Sequence, residues 1–199
     1  SFASLHSQEK VKDMESFRLF AAIKIEPQEQ FTTTYDFLKQ ALDFNIIKWV
    51  DPGHIHLTLK FIGNTIPEEV PQIQAALANA CEGIKPFELR ISKTGIFGSN
   101  YNPKVIWFGI EPNDMLQQLA QQVSSNLETA GILGDRQNFV PHLTIGRIRE
   151  IRDKKYFQQL MGRFNEVEIQ NQIVTGFNLY ESLLFREGPV YNVIESYQF

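Results

Sequence analysis

A short pattern occurs twice in this chain: a histidine, an apolar residue, a threonine and a second apolar residue. The first copy begins at His56 and the second at His142. Both lie in stretches that favour β-strands, in which side chains two positions apart point to the same side. Each copy therefore predicts a strand with histidine and threonine on one face and aliphatic side chains on the other. A chain that presents this strand twice is expected to contain two similar lobes.

Two imidazoles supply the proton transfers that cleavage of a phosphate diester requires. Attacking water loses a proton and the departing ribose oxygen gains one, and imidazoles with an ordinary pKa of about 6.5 can do both near neutral pH. We therefore predict that His56 and His142 are catalytic. Hydroxyl groups two residues further on can donate hydrogen bonds to the non-bridging phosphate oxygens. Thr58 and Thr144 are accordingly predicted to bind the substrate phosphate.

The duplication carries this prediction, because one copy alone is typical of any half-exposed strand. The chain has four histidines, and two of them occupy equivalent positions in the two copies. His54 precedes His56 by two residues, and such a pair suggests a metal site. Metal sites need three or four ligands, whereas no carboxylate lies within the motif and the only thiol, Cys81, lies in a predicted helix. No metal site is predicted. His54 is expected to be a partly exposed residue at the strand entry or at the rim of a cleft, and His6 is excluded from the mechanism.

The two motifs carry a resemblance to a known family. The segments 56–63 (HLTLKFIG) and 141–147 (PHLTIGR) resemble the signature motifs of the 2H phosphoesterases, and within them the RNA 2′,3′-cyclic phosphodiesterases, also called 2′-5′ RNA ligases. Segments 17–25, 179–182 and 188–191 are similar to the first strand and the closing hairpin of that family. The resemblance covers roughly residues 16–199. It implies the same two-lobed fold, metal-independent chemistry without a cofactor, and the roles given above for the two histidines and the two threonines.

The resemblance also implies that Arg147 binds substrate. Strict alternation places Arg147 on the face opposite His142, so it reaches the phosphate only if Gly146 permits a bulge or if the strand ends there. The alternative interpretation is a solvated arginine beside Arg149 and Arg152. The sequence leaves both interpretations open.

The implied function is hydrolysis of RNA 2′,3′-cyclic phosphate ends to 2′-phosphomonoesters. In reverse, with a 5′-hydroxyl in place of water, the same site would join RNA ends through a 2′-5′ linkage. Two alternatives remain: an enzyme acting on a small nucleotide such as ADP-ribose cyclic phosphate, and a non-catalytic module that binds RNA ends. The sequence does not say which histidine is the base.

Composition limits the partners and the location. A net charge of −4 argues against a broad surface coated by nucleic acid, so an RNA substrate is expected to be held at a local site, by its end. The expected partners are RNA ends or nucleotides bearing a 2′,3′-cyclic phosphate. A single cysteine excludes an intrachain disulfide and fits a reducing, cytoplasmic location. No apolar run approaches the length of a membrane span, and a monomer is expected.

The elements alternate along the chain and predict an α+β fold. It consists of two pseudo-symmetric lobes around a central cleft, each an antiparallel sheet with helices on its outer face. Residues 1–13 are predicted to be a flexible tail or an expression remnant, and residues 14–199 a single bilobal domain. Phe61 is expected in the core. Phe97 and Tyr101 fall in a glycine-rich stretch, 95–103, predicted as a loop whose rings stack on a base or cap the core. Strands are predicted at 17–25, 55–62, 87–91, 105–110, 140–148, 167–173, 176–184 and 190–197, and helices at 27–42, 67–81, 116–130 and 153–161.

Overall fold

The computed structural model describes residues 16–134 and 138–199. The tail predicted at residues 1–13 lies outside the described residues. The strands are β1 (Phe17–Lys24), β2 (Ile46–Trp49), β3 (His56–Thr65), β4 (Phe87–Gly98), β5 (Pro103–Ile110), β6 (His142–Glu150), β7 (Glu168–Val174), β8 (Gly176–Phe185) and β9 (Gly188–Gln198). The α-helices are α1 (Glu29–Ala41), α2 (Val70–Asn79), α3 (Asp114–Thr129) and α4 (Lys154–Arg163), and single 3₁₀ turns cover Pro52–His54 and Pro67–Glu69.

The strands form two antiparallel sheets, which confirms the predicted α+β class. The four-stranded sheet has the order β3-β1-β8-β9, and the five-stranded sheet has the order β2-β6-β5-β4-β7. His56 begins β3 and His142 begins β6. Each sheet therefore carries one copy of the repeated motif, as the two-lobed prediction requires.

Amphipathic helices cover the sheets because their apolar residues recur at helical spacing. Leu116, Leu119 and Val123 of α3 are fully buried, and the Asn113 side chain caps that helix by accepting a hydrogen bond from the backbone N–H of Leu116 at 2.9 Å. In the five-stranded sheet the contact is aromatic, with the ring of Phe31 from α1 meeting that of Phe108 from β5 edge-on at 5.1 Å. No helix in the described ranges combines the length and the apolar character needed to cross a bilayer.

Glutamine side chains tie the two sheets together. Gln170 and Gln172 of β7 accept hydrogen bonds from the backbone N–H groups of Gln28 and Glu26, at 2.8 and 3.0 Å. The same two side-chain amides donate to the carbonyl oxygens of Glu26 and Lys24, at 3.1 and 2.9 Å. Since β7 belongs to the five-stranded sheet and this segment continues β1 of the other sheet, the four bonds fix how the sheets meet.

Two strand predictions were incomplete. The short edge strand β2 was not predicted. Strand β4 continues to Gly98 and so takes up residues 95–98 of the stretch 95–103, which was expected to be a loop. Gly95 lies inside this strand, and a Cβ at this position would approach the Trp107 ring to 2.1 Å. The glycine serves a close side-chain approach rather than a turn.

Candidate active site

His56 is held in a defined orientation at the start of β3. Its Nδ1 lies 2.8 Å from the backbone carbonyl oxygen of His54. A carbonyl oxygen can only accept a hydrogen bond, so Nδ1 carries the proton and donates it. This arrangement leaves Nε2 of His56 available for proton transfer with a substrate.

His142 repeats the same arrangement at the start of β6. Its Nδ1 lies 2.7 Å from the carbonyl oxygen of Val140, which is again the residue two positions earlier. Nε2 of His142 is therefore also available. The pseudo-repeat thus extends beyond the sequence motif to the hydrogen bond that orients each ring.

Strand pairing defines the face that carries the first motif. His56 lies opposite Lys24, and Thr58 lies opposite Ala22, in the antiparallel pairing of β1 and β3. Directly opposite residues share a face. Leu57 and Leu59 are buried on the other side. Alternation along β3 therefore places His56 and Thr58 on one face, as predicted.

The second motif also places its polar side chains on one face of a sheet, here the five-stranded one. His142 lies opposite Gly109 and Thr144 lies opposite Trp107. Arg147 lies opposite Val105, because a bulge places both Ile145 and Gly146 against Ile106. Trp107 and Val105 are two residues apart and share a face, so their partners also share one. The bulge at Gly146 brings Arg147 to the face of His142 and Thr144.

A similar bulge corrects the prediction for Phe61. Phe61 lies opposite Phe20, and Phe20 shares a face with Ala22, the partner of Thr58. The side chain of Phe61 is 51% exposed and is not part of the core. The register shift after Thr58 reverses the alternation, so the prediction that Phe61 packs in the core was wrong. Phe61 and Arg147 occupy the same position relative to their respective histidines.

The two motif-bearing strands contact each other between the sheets. Val50, just after β2, donates its backbone N–H to the carbonyl oxygen of Ile145 at 2.9 Å, beside Thr144. The chain then reaches His56 through residues 50–55. A connection of this length leads directly from the strand pair of the second motif to the strand of the first.

Aromatic rings lie beside both imidazoles. Phe20 lies 4.9 Å from His56 between ring centroids, and Tyr191 lies 5.2 Å from it at an angle of 89°. On the other sheet, Phe97 meets the His142 ring edge-on at 4.7 Å. Phe97 is 37% exposed and Tyr101 is 81% exposed, so neither caps the core. Phe20 and Tyr191 were not predicted as site residues, because sequence does not reveal which rings a folded sheet places beside a histidine.

The electrostatic environment of His56 favours its neutral form. Burial lowers the pKa of His56, the hydrogen bond to the His54 carbonyl opposes this shift, and the nearby His54 side chain adds to it. Burial raises the pKa of the Tyr191 hydroxyl, while the charges of Arg147 and Arg18 pull it down. Arg147 belongs to one sheet and Tyr191 to the other, so this interaction acts between the two sheets.

One cavity lies beside His56, and a larger one lies away from both motif histidines. A cavity of about 160 Å³ beside His56 is lined by Lys24, Gly53, His54, Ile55, His56, Tyr180, Tyr191 and Val193. A larger cavity of about 660 Å³ lies among β4, β7 and the segment after β5 and contains neither motif histidine. We assign the site by the paired imidazoles rather than by cavity size, because the chemistry requires proton donors and acceptors.

His54 lies at the rim of the smaller cavity and contacts Tyr191 with its ring, at 5.4 Å. Among residues 16–134 and 138–199, no three histidine, cysteine, aspartate or glutamate side chains cluster so that they could hold a metal ion.

The fold and the paired motifs are those of a two-histidine phosphoesterase. A family model described as the 2′-5′ RNA ligase superfamily matches residues 29–179. The chain belongs to this superfamily.

Relatives and solved structures agree with this assignment. The chain is 28% identical to an RNA 2′,3′-cyclic phosphodiesterase of Methanothermobacter thermautotrophicus over 183 residues, covering 91% of this chain and 98% of the relative. It is 31% identical to an RNA 2′,3′-cyclic phosphodiesterase of Aquifex aeolicus over 163 residues, covering 80% and 86%. The structure of TT0787 from Thermus thermophilus matches with a TM-score of 0.71 at 28% identity, covering 91% of this chain and 97% of that one. E. coli LigT complexed with 3′-AMP shares the fold, with a TM-score of 0.71 at 21% identity, covering 93% and 99%.

Proposed function

We propose that this protein is an RNA 2′,3′-cyclic phosphodiesterase that opens the cyclic phosphate at an RNA end to a 2′-phosphomonoester. The observation that carries the proposal is the matched orientation of His56 and His142, each with Nδ1 hydrogen-bonded to a carbonyl oxygen, which leaves Nε2 for proton transfer. Two relatives are named for this activity, and the match with this chain covers most of the length of each.

The reaction uses the two imidazoles in opposite protonation states. A neutral imidazole takes a proton from water as the water oxygen forms a bond to phosphorus. The bond from phosphorus to the 3′-oxygen of the ribose breaks, and a protonated imidazole donates to that oxygen. Each ring performs its transfer through Nε2, because Nδ1 is already bonded to the backbone.

The remaining predicted residues stabilise the phosphate. Thr58 and Thr144 can donate hydroxyl hydrogen bonds to the non-bridging oxygens, whose negative charge must be held in the transition state. Arg147, brought to the His142 face by its bulge, adds a positive charge and a planar pair of N–H donors. Opening of a strained cyclic diester moves protons but no electrons, so these side chains suffice without a redox cofactor.

The same site would join RNA ends if another nucleophile took the place of water. A 5′-hydroxyl would give up its proton to the neutral imidazole and bond to phosphorus, while the protonated imidazole would again donate to the departing 3′-oxygen. The enzyme would then form a 2′-5′ linkage from a cyclic end.

The single domain at residues 14–199, the monomeric state and the cytoplasmic location remain predictions.

The test is a turnover assay with an oligonucleotide that bears a 2′,3′-cyclic phosphate. The wild type should convert it to a 2′-phosphate, identified by ³¹P NMR and by chromatography against 2′- and 3′-phosphate standards. For alanine variants of His56 and His142, the matched control is His6→Ala, because it changes a histidine outside the repeated motif. Binding of the cyclic end without any turnover would contradict the proposal and favour a non-catalytic module.

A further inference from the structure

A cross-strand row in the five-stranded sheet carries a second positive charge beside Arg147. Lys48 of β2 lies opposite Arg147 of β6, Arg147 lies opposite Val105 of β5, and Val105 lies opposite Phe97 of β4. Directly opposite residues share a face. The four side chains therefore form one line across the face that carries His142, with Lys48 exposed at its outer end.

The stability of the sheet does not account for this arrangement. Like charges directly opposite each other destabilise a strand pair. In the described part of the chain, the salt bridges join other residues, and neither Lys48 nor Arg147 is paired with a carboxylate. Although the chain has a net charge of −4, Lys48 and Arg147 lie side by side next to the candidate site. An anion bound between them would relieve the repulsion.

The four-stranded sheet contributes a third cation to the same region. Arg18 is exposed. It precedes Phe20 and Ala22 by two and four residues along β1, so it shares their face, which is also the face of His56 and Thr58. The charges of Arg18 and Arg147 both act on the Tyr191 hydroxyl and lower its pKa against the effect of burial. The two arginines, from different sheets, therefore lie near one hydroxyl group.

The cations lie to one side of the two catalytic motifs. Strand β6 runs from His142 through Thr144 to Arg147, so Lys48 is placed beyond the phosphate-binding threonine as seen from the histidine. A nucleotide chain that extends from the cyclic end along this side of the site would pass these side chains. The exposed ring of Phe97 closes the other end of the row. Single-stranded nucleic acid is bound by this combination of backbone-tracking cations and aromatic rings.

We propose that Lys48, beside Arg147, and Arg18, on the other sheet, bind backbone phosphates of the nucleotides that precede the cyclic end. The inference rests on the proposed function and defines its substrate class as single-stranded RNA rather than an isolated nucleotide. It reconciles an acidic chain with an RNA substrate, because the positive charge is confined to the path that leaves the site.

The experiment compares 2′,3′-cyclic AMP with a trinucleotide that ends in the same cyclic nucleotide. The wild type should have the higher kcat/KM with the trinucleotide. Lys48→Gln and Arg18→Gln should each lower the ratio of the two kcat/KM values about three- to tenfold. The slope of log kcat/KM against log salt concentration for the trinucleotide should become shallower by about 0.7 for each phosphate that the variant no longer binds.

Matched controls separate this role from general effects of charge. Lys39→Gln on α1 and Arg163→Gln on α4 remove exposed cations from helices that lie away from the row, and both should leave the ratio and the slope unchanged. Lys48→Arg and Arg18→Lys keep the charge and should retain most of the ratio. Circular dichroism of every variant checks that the fold is intact.

Three results would overturn the inference. Equal kcat/KM for both substrates in the wild type, or an unchanged ratio in Lys48→Gln and Arg18→Gln, would remove the upstream contacts and leave the proposed function standing. Turnover of neither substrate by the wild type would instead remove the proposed function and, with it, this inference.

Discussion

The ring of Tyr191 stands at 89° to the imidazole of His56, with 5.2 Å between the ring centroids. Tyr191 comes from β9, the edge strand farthest from β3 in the same sheet, so its side chain leans across the sheet to reach the histidine. It shields His56 from water on that side. Burial is the largest cause of the lowered pKa of His56, and the Tyr191 ring is one of the groups that lie against this imidazole.

Replacing Tyr191 with alanine should raise the pKa of His56 towards its ordinary value of about 6.5, because the charged imidazolium would regain hydration. The measurement is an NMR titration of the His56 ring protons. Tyr191→Phe keeps the ring and should leave the shift largely in place. Phe97→Ala, which removes a ring beside His142 instead, should not move the pKa of His56, and a shift there would contradict burial as the local cause.

The lowered pKa of His56 should appear in the pH dependence of stability. The unfolded chain binds a proton to this histidine near pH 6.5, while the folded chain does so only at lower pH. The stabilisation is complete above pH 6.5 and is lost as the pH falls from there through the folded pKa. Urea unfolding at several pH values from 7.5 to about 5 should therefore show the wild type losing free energy of unfolding relative to His56→Gln. Parallel curves for the two proteins would refute the assignment.

Alanine at His56 or at His142 should lower the rate of cyclic phosphate hydrolysis by about 10²- to 10⁴-fold, because each change removes one proton-transfer partner. The double variant should be much less than multiplicatively worse, since both groups act in one transition state. Single-turnover kinetics and a separate binding measurement with a 2′-nucleotide distinguish the steps. Loss of binding with unchanged turnover of the bound complex would show that the histidines only hold the phosphate.

Excess chelator should leave the hydrolysis rate essentially unchanged, since imidazoles rather than a metal-bound water move the protons. The comparison is kcat/KM before and after prolonged incubation with EDTA and removal of the chelate. A chelator-sensitive activity that a divalent ion restores would instead favour a metal held by His54 and His56.

Gly95→Ala should destabilise the protein by about 1–3 kcal/mol, because the new methyl group would overlap the Trp107 ring and force it to move. Gly162→Ala is the matched control, as a Cβ at this position in α4 meets nothing within 4 Å. That change should be neutral or stabilising by up to about 1 kcal/mol through helix propensity. Urea denaturation measures both, and equal effects would show that contact with Trp107 is not the cause.

The sequence was sufficient for whatever depends on local alternation. It predicted the two motif strands, and His56 with Thr58 on one face, because a strand has a period of two. It could not predict the bulges that follow Thr58 and Thr144. For that reason it placed Phe61 in the core and did not decide on which face of the strand Arg147 lies. The approach of Tyr191 to His56 depends on the pairing of β8 with β9 and of β1 with β8, which are contacts between distant parts of the chain. Such contacts leave no periodic trace in a single sequence.

The glutamine bonds between β7 and the segment after β1 bear on how a pH profile of this protein can be interpreted. Carboxamides neither gain nor lose protons over the range in which imidazoles titrate, and their bonds to the backbone respond little to ionic strength. An attachment between the sheets made of carboxylates and lysines would weaken at acidic pH and in high salt, and the separation of the histidines could then change with the conditions. With Gln170 and Gln172 in these positions, the four bonds between the sheets do not titrate, so acid and salt titrations of activity are expected to report the protonation of the site and the binding of the substrate.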